Sequence, residues 1–272
     1  MSITESTGLS VYEQPAARIL ATTRYPHFFI DRRILDAEEV ITSRAEADLP
    51  EFIVVATAAR ARLLDEAVTA FMEREEACNI VWLGYGLDTS FDRVTEQISK
   101  RRACFYEVDT PEILKLRNTI LKKKQQENQI ACEKSQKSWI PEVNAAWPTL
   151  IVINGMVPFG TEDVLLDLIA ACKEAFPVCE MVFDVIGEAG RHYCDRFLAK
   201  SNAGQSVRFT VSNAKALAEK AGVSLVDVRL FFTDARRIIS RKLKSSTRLL
   251  LSVADTRRQL AVIHLNLQGD AS

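Results

Sequence analysis

The chain has 272 residues, of which 47% are apolar and 26% charged, and a formal net charge of −1. This suits one large domain with a sizeable core, and it excludes any global electrostatic pull toward nucleic acid or a membrane surface. Six scattered cysteines without a C-x-x-C pair exclude a zinc pattern or a disulfide scaffold and fit a reducing compartment.

Residues 10–76 read as helices throughout. Pro50 suits a first helical position, and Val55, Ala59, Leu63, Leu64, Val68, Phe71 and Met72 recur at helical spacing between Phe52 and Glu76. This N-terminal segment has no strand, and no Gly-rich linker precedes Gly84. Residues 1–76 are therefore expected to form a helical cap on residues 77–272, the two making one continuous unit.

From residue 79 onward, short β-rich runs alternate with amphipathic stretches. Strands are predicted at Asn79–Leu83, Ala103–Val108, Gln129–Cys132, Leu150–Ile153, Cys179–Ile186, Ser224–Phe231 and Gln259–Leu267. Helices are predicted at Thr89–Ser99, Pro111–Gln126, Thr161–Phe176, Ala189–Lys200 and Asn213–Ala221. Such alternation implies an α/β fold with a mostly parallel sheet, covered on both faces and wound right-handed. The end of the chain differs. Asp234–Ala254 is helix-like, Asp255–Arg258 reads as a turn, and the final run returns as an antiparallel strand. Seven strands with the last reversed is the class I methyltransferase layout, Rossmann-like but distinct from the all-parallel dinucleotide fold.

The chemistry gathers where the first strand ends, at Leu83-Gly84-Tyr85-Gly86-Leu87-Asp88-Thr89. A strand that stops at Gly-x-Gly and restarts as a helix brings bare backbone N–H groups close to a ligand. The dinucleotide fingerprint needs a third glycine, and Thr89 stands in its place, which counts against a nicotinamide dehydrogenase. The second strand ends in Asp109, twenty-three residues past Gly86. This carboxylate suits ribose hydroxyls, or the N-cap of a helix opened by Pro111-Glu112, and one residue can do both.

Three elements resemble the leucine carboxyl methyltransferase family, whose bacterial members include O-methyltransferases of natural-product pathways. They are Leu83–Thr89 (L-G-x-G-x-D-[ST]), Glu107-Val108-Asp109-Thr110-Pro111-Glu112 with Ile113, Lys115 and Arg117 beyond it, and the helix Arg60–Asp65. The similarity runs from about Tyr12 to Leu267. The resemblance implies S-adenosyl-L-methionine as cofactor. Arg60 would hold its methionyl carboxylate, and Gly84 and Gly86 would lie under its methionine and ribose, with Tyr85 and Asp88 in the same loop. Asp109 would hold the ribose, beside Thr110. Glu133, with Lys134, stands where the family carries an Asp-Leu that reads the adenine amine. Asn154-Gly155 stands where it carries Glu-Gly near the cofactor's ammonium. Asn can accept a hydrogen bond there but brings no charge.

A sulfonium methyl is already activated, so a methyltransferase mainly aligns and excludes water, and a hydroxyl acceptor benefits from a base. His192, Arg24 and His27 are the candidates for base or substrate contact, each with a solvated surface position as its alternative. The expected function is O-methylation of a carboxylate or hydroxyl on a small molecule, a secondary metabolite for example, by direct in-line displacement. The alternatives are methylation at N or C, non-methylative use of the bound cofactor, and a non-catalytic scaffold. The protein is expected to be cytoplasmic and a monomer or homodimer, with no metal and with neither nucleic acid nor membrane as partner. Met1–Ser6 lacks the pattern of a signal peptide.

Overall fold

The computed structural model describes residues 11–45, 48–95, 102–123, 127–133, 137–200 and 206–269. Seven strands, β1 (Ala77–Leu83), β2 (Arg102–Asp109), β3 (Glu127–Ala131), β4 (Thr149–Ile153), β5 (Cys179–Ile186), β6 (Ser224–Leu230) and β7 (Leu260–Asn266), form one sheet in the order β3-β2-β1-β4-β5-β7-β6. β7 is antiparallel to both β5 and β6, and the other pairings are parallel. This is the class I methyltransferase sheet. Every residue of β4 and β5 is buried, and the unbroken apolar run Leu150–Ile153 of β4 is the pattern of a strand covered on both faces.

The helices are α1 (Glu13–Arg24), α2 (Arg32–Leu35), α3 (Glu38–Thr42), α4 (Glu51–Arg74), α5 (Ser90–Thr95), α6 (Pro111–Leu121), α7 (Glu162–Ala175), α8 (Glu188–Lys200), α9 (Ala214–Ala221), α10 (Thr233–Ile238) and α11 (Ser245–Thr256). Side chains alternate across the sheet and define two cores. Ile80, Trp82, Leu150, Val152 and Val182 pack with α1, α4, α10 and α11, whereas Val81, Leu83, Ile151, Ile153 and Phe183 pack with α7 and α9. No helix among the described residues is long and apolar enough to cross a membrane.

Three departures from the sequence reading have local causes. Residues 10–76 are not helical throughout. Pro26 lacks an N–H and disfavours helix in the residue before it, so α1 ends at Arg24 and Tyr25–Asp31 runs irregularly, burying Phe28 and Phe29. Pro50 is extended (ψ 139°) and precedes α4 rather than opening it, and residues 43–50 hold no helix where described. The segment 234–254 is also broken. Lys244 N–H donates to Glu51 Oε2 at 3.0 Å, fixing an extended residue between a 3-10 turn at Ser240–Lys242 and α11, which itself runs on to Thr256.

Register sets up the site. Leu83 pairs with Val108 on one side and Ile153 on the other, and Ile153 pairs with Phe183. The next residues along these four strands, Gly84, Asp109, Asn154 and Asp184, therefore emerge in one row. That row lies at the carboxyl ends of the parallel strands, where open α/β sheets bind ligands.

Candidate active site

Gly84 and Gly86 have φ of +70° and +56°, a conformation that other L residues adopt at a cost. A Cβ on Gly84 would fall 2.1 Å from Met156 Sδ, whereas a Cβ on Gly86 would meet nothing within 4 Å. The loop is pinned from the second strand: Gly86 N–H donates to Asp109 Oδ2 at 2.8 Å, and Thr110 N–H donates to Asp109 Oδ1 at 2.8 Å. Thr110, not Asp109, caps α6, its hydroxyl facing Ile113 N–H. The N-cap alternative for Asp109 is thereby corrected.

Behind the loop lies a buried ionic lattice. Arg93 of α5 binds both oxygens of Asp65, at 2.6 and 3.0 Å, and also reaches Asp31 and Asp88 at 3.0 Å each. Arg18 of α1 joins Asp31 at 3.0 Å and the Leu87 carbonyl at 2.6 Å. Burial alone would raise the Asp88 carboxyl, but Arg93 and Arg18 outweigh it and hold Asp88 well below the usual carboxylate range. Asp65 goes the other way, because its complete burial pushes it up to about 6 despite Arg93. From α6, Arg117 donates to the Gly86 and Asp88 carbonyls, pairs with Glu107 at 2.9 Å and stacks over the Tyr85 ring at 4.3 Å. Burial, with Glu127 nearby, raises Glu107 to about 7.

Among the described residues, three cavities open along the row. The largest, about 350 Å³, is lined by Leu83, Gly84, Asp109, Glu133, Trp139 and Ile153 among others. A recess of about 30 Å³ lies between Gln14, Arg18, Gly86, Asn154 and Met156. A third, of about 130 Å³, lies beyond Gly155 and Arg60, against α4 and α8. Met156 borders both the first and the second. Asn154 is 7% exposed and donates Nδ2–H to Asp88 Oδ2 at 3.0 Å, which leaves its buried Oδ1 without a hydrogen-bond partner at the recess. Asp184 accepts from Gly155 N–H at 2.5 Å and pairs with Arg60 at 3.4 Å, while Arg60 also donates to Gln14 Oε1 at 2.7 Å.

The structure gathers Arg60, Gly84, Gly86, Asp109, Glu133, Asn154 and Gly155 around these cavities. Other expected residues are placed differently. The Tyr85 side chain is 3% exposed and turned into the core against Trp82, so only its backbone borders the recess. The Asp88 carboxylate is spent on Arg93, Asn154 and the N–H groups of Thr89 and Ser90. The Thr110 side chain is spent on its cap. Lys134 lies outside the described residues. Arg24, His27 and His192 are exposed and line none of the three cavities, so the structure does not bring these three together with the row. His192 instead meets Arg196 at 3.1 Å, one turn along α8. Sequence reasoning missed Gln14, Arg18 and Asp184. For Asp184 a signal existed, a lone acid near the carboxyl end of the apolar run Met181–Ile186.

A family model described as leucine carboxyl methyltransferase matches residues 4–169. No curated protein sequence matches the chain. Among solved structures, a candidate methyltransferase from Thermobifida fusca is similar with a TM-score of 0.60 at 12% identity, over 97% of this chain and 96% of its own. A candidate exported protein from Bordetella parapertussis gives 0.51 at 14% identity, over 94% of each chain. The pyocyanin biosynthetic protein PhzM gives 0.50 at 12% identity, over 92% of this chain and 72% of its own. At such identities these likenesses speak for the fold alone.

Proposed function

This chain belongs to the leucine carboxyl methyltransferase family and is an S-adenosylmethionine-dependent methyltransferase, and on that premise we propose that it methylates an oxygen, hydroxyl or carboxylate, of a small molecule. The observation that carries the cofactor's placement is the orphaned Oδ1 of Asn154. A buried acceptor without a partner costs free energy, and a ligand's ammonium placed in the recess would satisfy it. The open face of Gly86 supports the same fit, since no side chain stands between its backbone and the cavity.

In this reading the ribose hydroxyls meet Asp109, which keeps acceptor capacity beside its two backbone donors. The adenine enters the largest cavity between Leu83, Ile153 and Trp139, with Glu133 at its rim. Arg60 reaches the methionyl carboxylate, and the helices ahead of residue 77 serve as a cap that supplies Gln14, Arg18 and Arg60. When bound, S-adenosylmethionine supplies an electrophilic methyl on sulfur. The residues of this chain orient the acceptor and exclude water, and such positioning is worth several orders of magnitude in rate.

Isothermal titration with S-adenosylhomocysteine tests the cofactor site. Micromolar binding that is lost in Asp109→Ala supports it, and no binding at millimolar concentration overturns it. Incubation with isotopically labelled methyl donor and a panel of small hydroxy and carboxy compounds tests the chemistry. Label recovered only at nitrogen or carbon would refute oxygen as the acceptor atom.

A further inference from the structure

The third cavity has chemistry of its own. Its wall is aromatic: Phe52, Phe159, Tyr193, Phe197 and Phe231 converge on it from α4, α8 and the strand ends, and Tyr193 meets Phe52 edge to face at 5.6 Å. Its polar side chains are Gln14, Thr57, Arg60 and Asp184, of which Asp184 accepts from Gly155 N–H and pairs with Arg60. At about 130 Å³ it resembles in size the apolar cavity of roughly 150 Å³ that takes up one benzene molecule. Gln14 borders both this cavity and the recess below Asn154, and Gly155 follows Asn154 directly, so a molecule here stands next to the cofactor seat.

Charge narrows the choice of occupant. Among the described residues that line the cavity, the one cation, Arg60, is paired with the one anion, Asp184, at 3.4 Å, with side chains 15% and 7% exposed. In the reading above Arg60 is shared between Asp184 and the cofactor's methionyl carboxylate, so a further carboxylate entering the site finds no uncompensated positive charge and loses its hydration. A neutral hydroxyl loses far less and can donate to Asp184 or meet the Thr57 hydroxyl. The ring faces favour an aromatic guest over an aliphatic one of equal size.

We propose that this cavity is the acceptor site, and that the acceptor is an uncharged single-ring aromatic hydroxyl compound, a phenol rather than a carboxylate. This rests on the assignment of the neighbouring cofactor seat given above, and the test separates the two.

Binding of p-cresol, phenylacetate and cyclohexanol to the full chain is measured by calorimetry with S-adenosylhomocysteine at saturation. The expected result is p-cresol binding about tenfold or more tightly than phenylacetate, with cyclohexanol weaker than p-cresol. Ala56→Trp, which fills the cavity from α4, should abolish p-cresol binding and leave the S-adenosylhomocysteine Kd within about twofold. Asp184→Asn keeps an acceptor for Gly155 N–H but removes one of the two anions that share Arg60, so it should narrow the preference for p-cresol over phenylacetate by about threefold or more. Three results would overturn the proposal while sparing the cofactor seat: phenylacetate tighter than p-cresol in the wild type, p-cresol binding unaffected by Ala56→Trp, or a preference unmoved by Asp184→Asn. Failure of S-adenosylhomocysteine itself to bind overturns the cofactor reading and this one with it.

Discussion

Asp65 on α4 and Arg93 on α5 face each other through two parallel bonds, Nε to Oδ2 at 2.6 Å and Nη2 to Oδ1 at 3.0 Å, with both side chains no more than 8% exposed. The same guanidinium carries Asp31 and Asp88. Removing it strands buried Asp65 and leaves Asp31 and Asp88 to share Arg18 alone. Arg93→Met should therefore destabilise the fold by about 3–5 kcal/mol, the range seen when one partner of a buried pair is deleted. Urea denaturation of the two proteins checks this. An effect under about 1 kcal/mol would mean that the lattice is solvated in solution.

The Asp65 carboxyl, raised by burial to about 6, also makes a prediction about pH. An acid that binds its proton more tightly when folded favours the fold at low pH. That contribution is complete below the unfolded value of ~4 and is lost as pH rises through about 6. Asp65→Asn cannot titrate. The stability of the wild type relative to this variant should thus fall by about 2 kcal/mol between pH 4 and pH 7. Denaturation curves at these two pH values measure it, and a rise instead of a fall would contradict the assignment.

At Gly84, backbone conformation and crowding act together. Gly84→Ala places a Cβ in a φ of +70° and drives it into Met156, so a loss of about 1–3 kcal/mol is expected together with weaker cofactor binding. Adding Met156→Ala removes the crowding but not the conformational strain, and should restore part of the loss. Gly86→Ala meets no neighbour, so it should cost only about 1–2 kcal/mol of stability while still obstructing the ligand's approach. Thermal melts and S-adenosylhomocysteine titrations of the four proteins separate these contributions.

Asn154 supplies the fourth test. Asn154→Leu removes the acceptor at the recess and should weaken S-adenosylhomocysteine binding by roughly 10- to 100-fold, the worth of a hydrogen bond to a charged group. Asn154→Asp sets a second carboxylate 3.0 Å from Asp88 Oδ2. It should destabilise the free protein at neutral pH and recover on acidification, when one of the two carboxyls takes up a proton. Melts at pH 5 and pH 8 with and without ligand would show it.

Strand content, topology and the glycine turn were readable in the sequence because strand–helix alternation and paired glycines are local signals. The cap was less readable. A helical period cannot register that Pro26 ends α1 or that Glu51 captures the Lys244 amide. On α8 the residue chosen, His192, is one position from Tyr193, and each step around a helix turns about 100°, so Tyr193, Cys194 and Phe197 face the cavity while His192 faces water. Chemical type drew attention to the histidine, and only packing reveals which way it points. Arg60 and Asp184 lie 124 residues apart in sequence, and no spacing rule couples them. For the same reason the neutrality of the third cavity was invisible before the fold was known.

Finally, α1 has a standing that its terminal position conceals. Its Gln14 holds Arg60, and its Arg18 holds the Leu87 carbonyl and Asp31. A polypeptide begun at residue 26 would retain all seven strands and both loop glycines, yet the recess proposed to seat the methyl donor would lose the wall formed by Gln14 and Arg18. On the proposed placement of the cofactor the first helix belongs to the site as much as the sheet does, and trimming the chain past α1 should weaken S-adenosylhomocysteine binding.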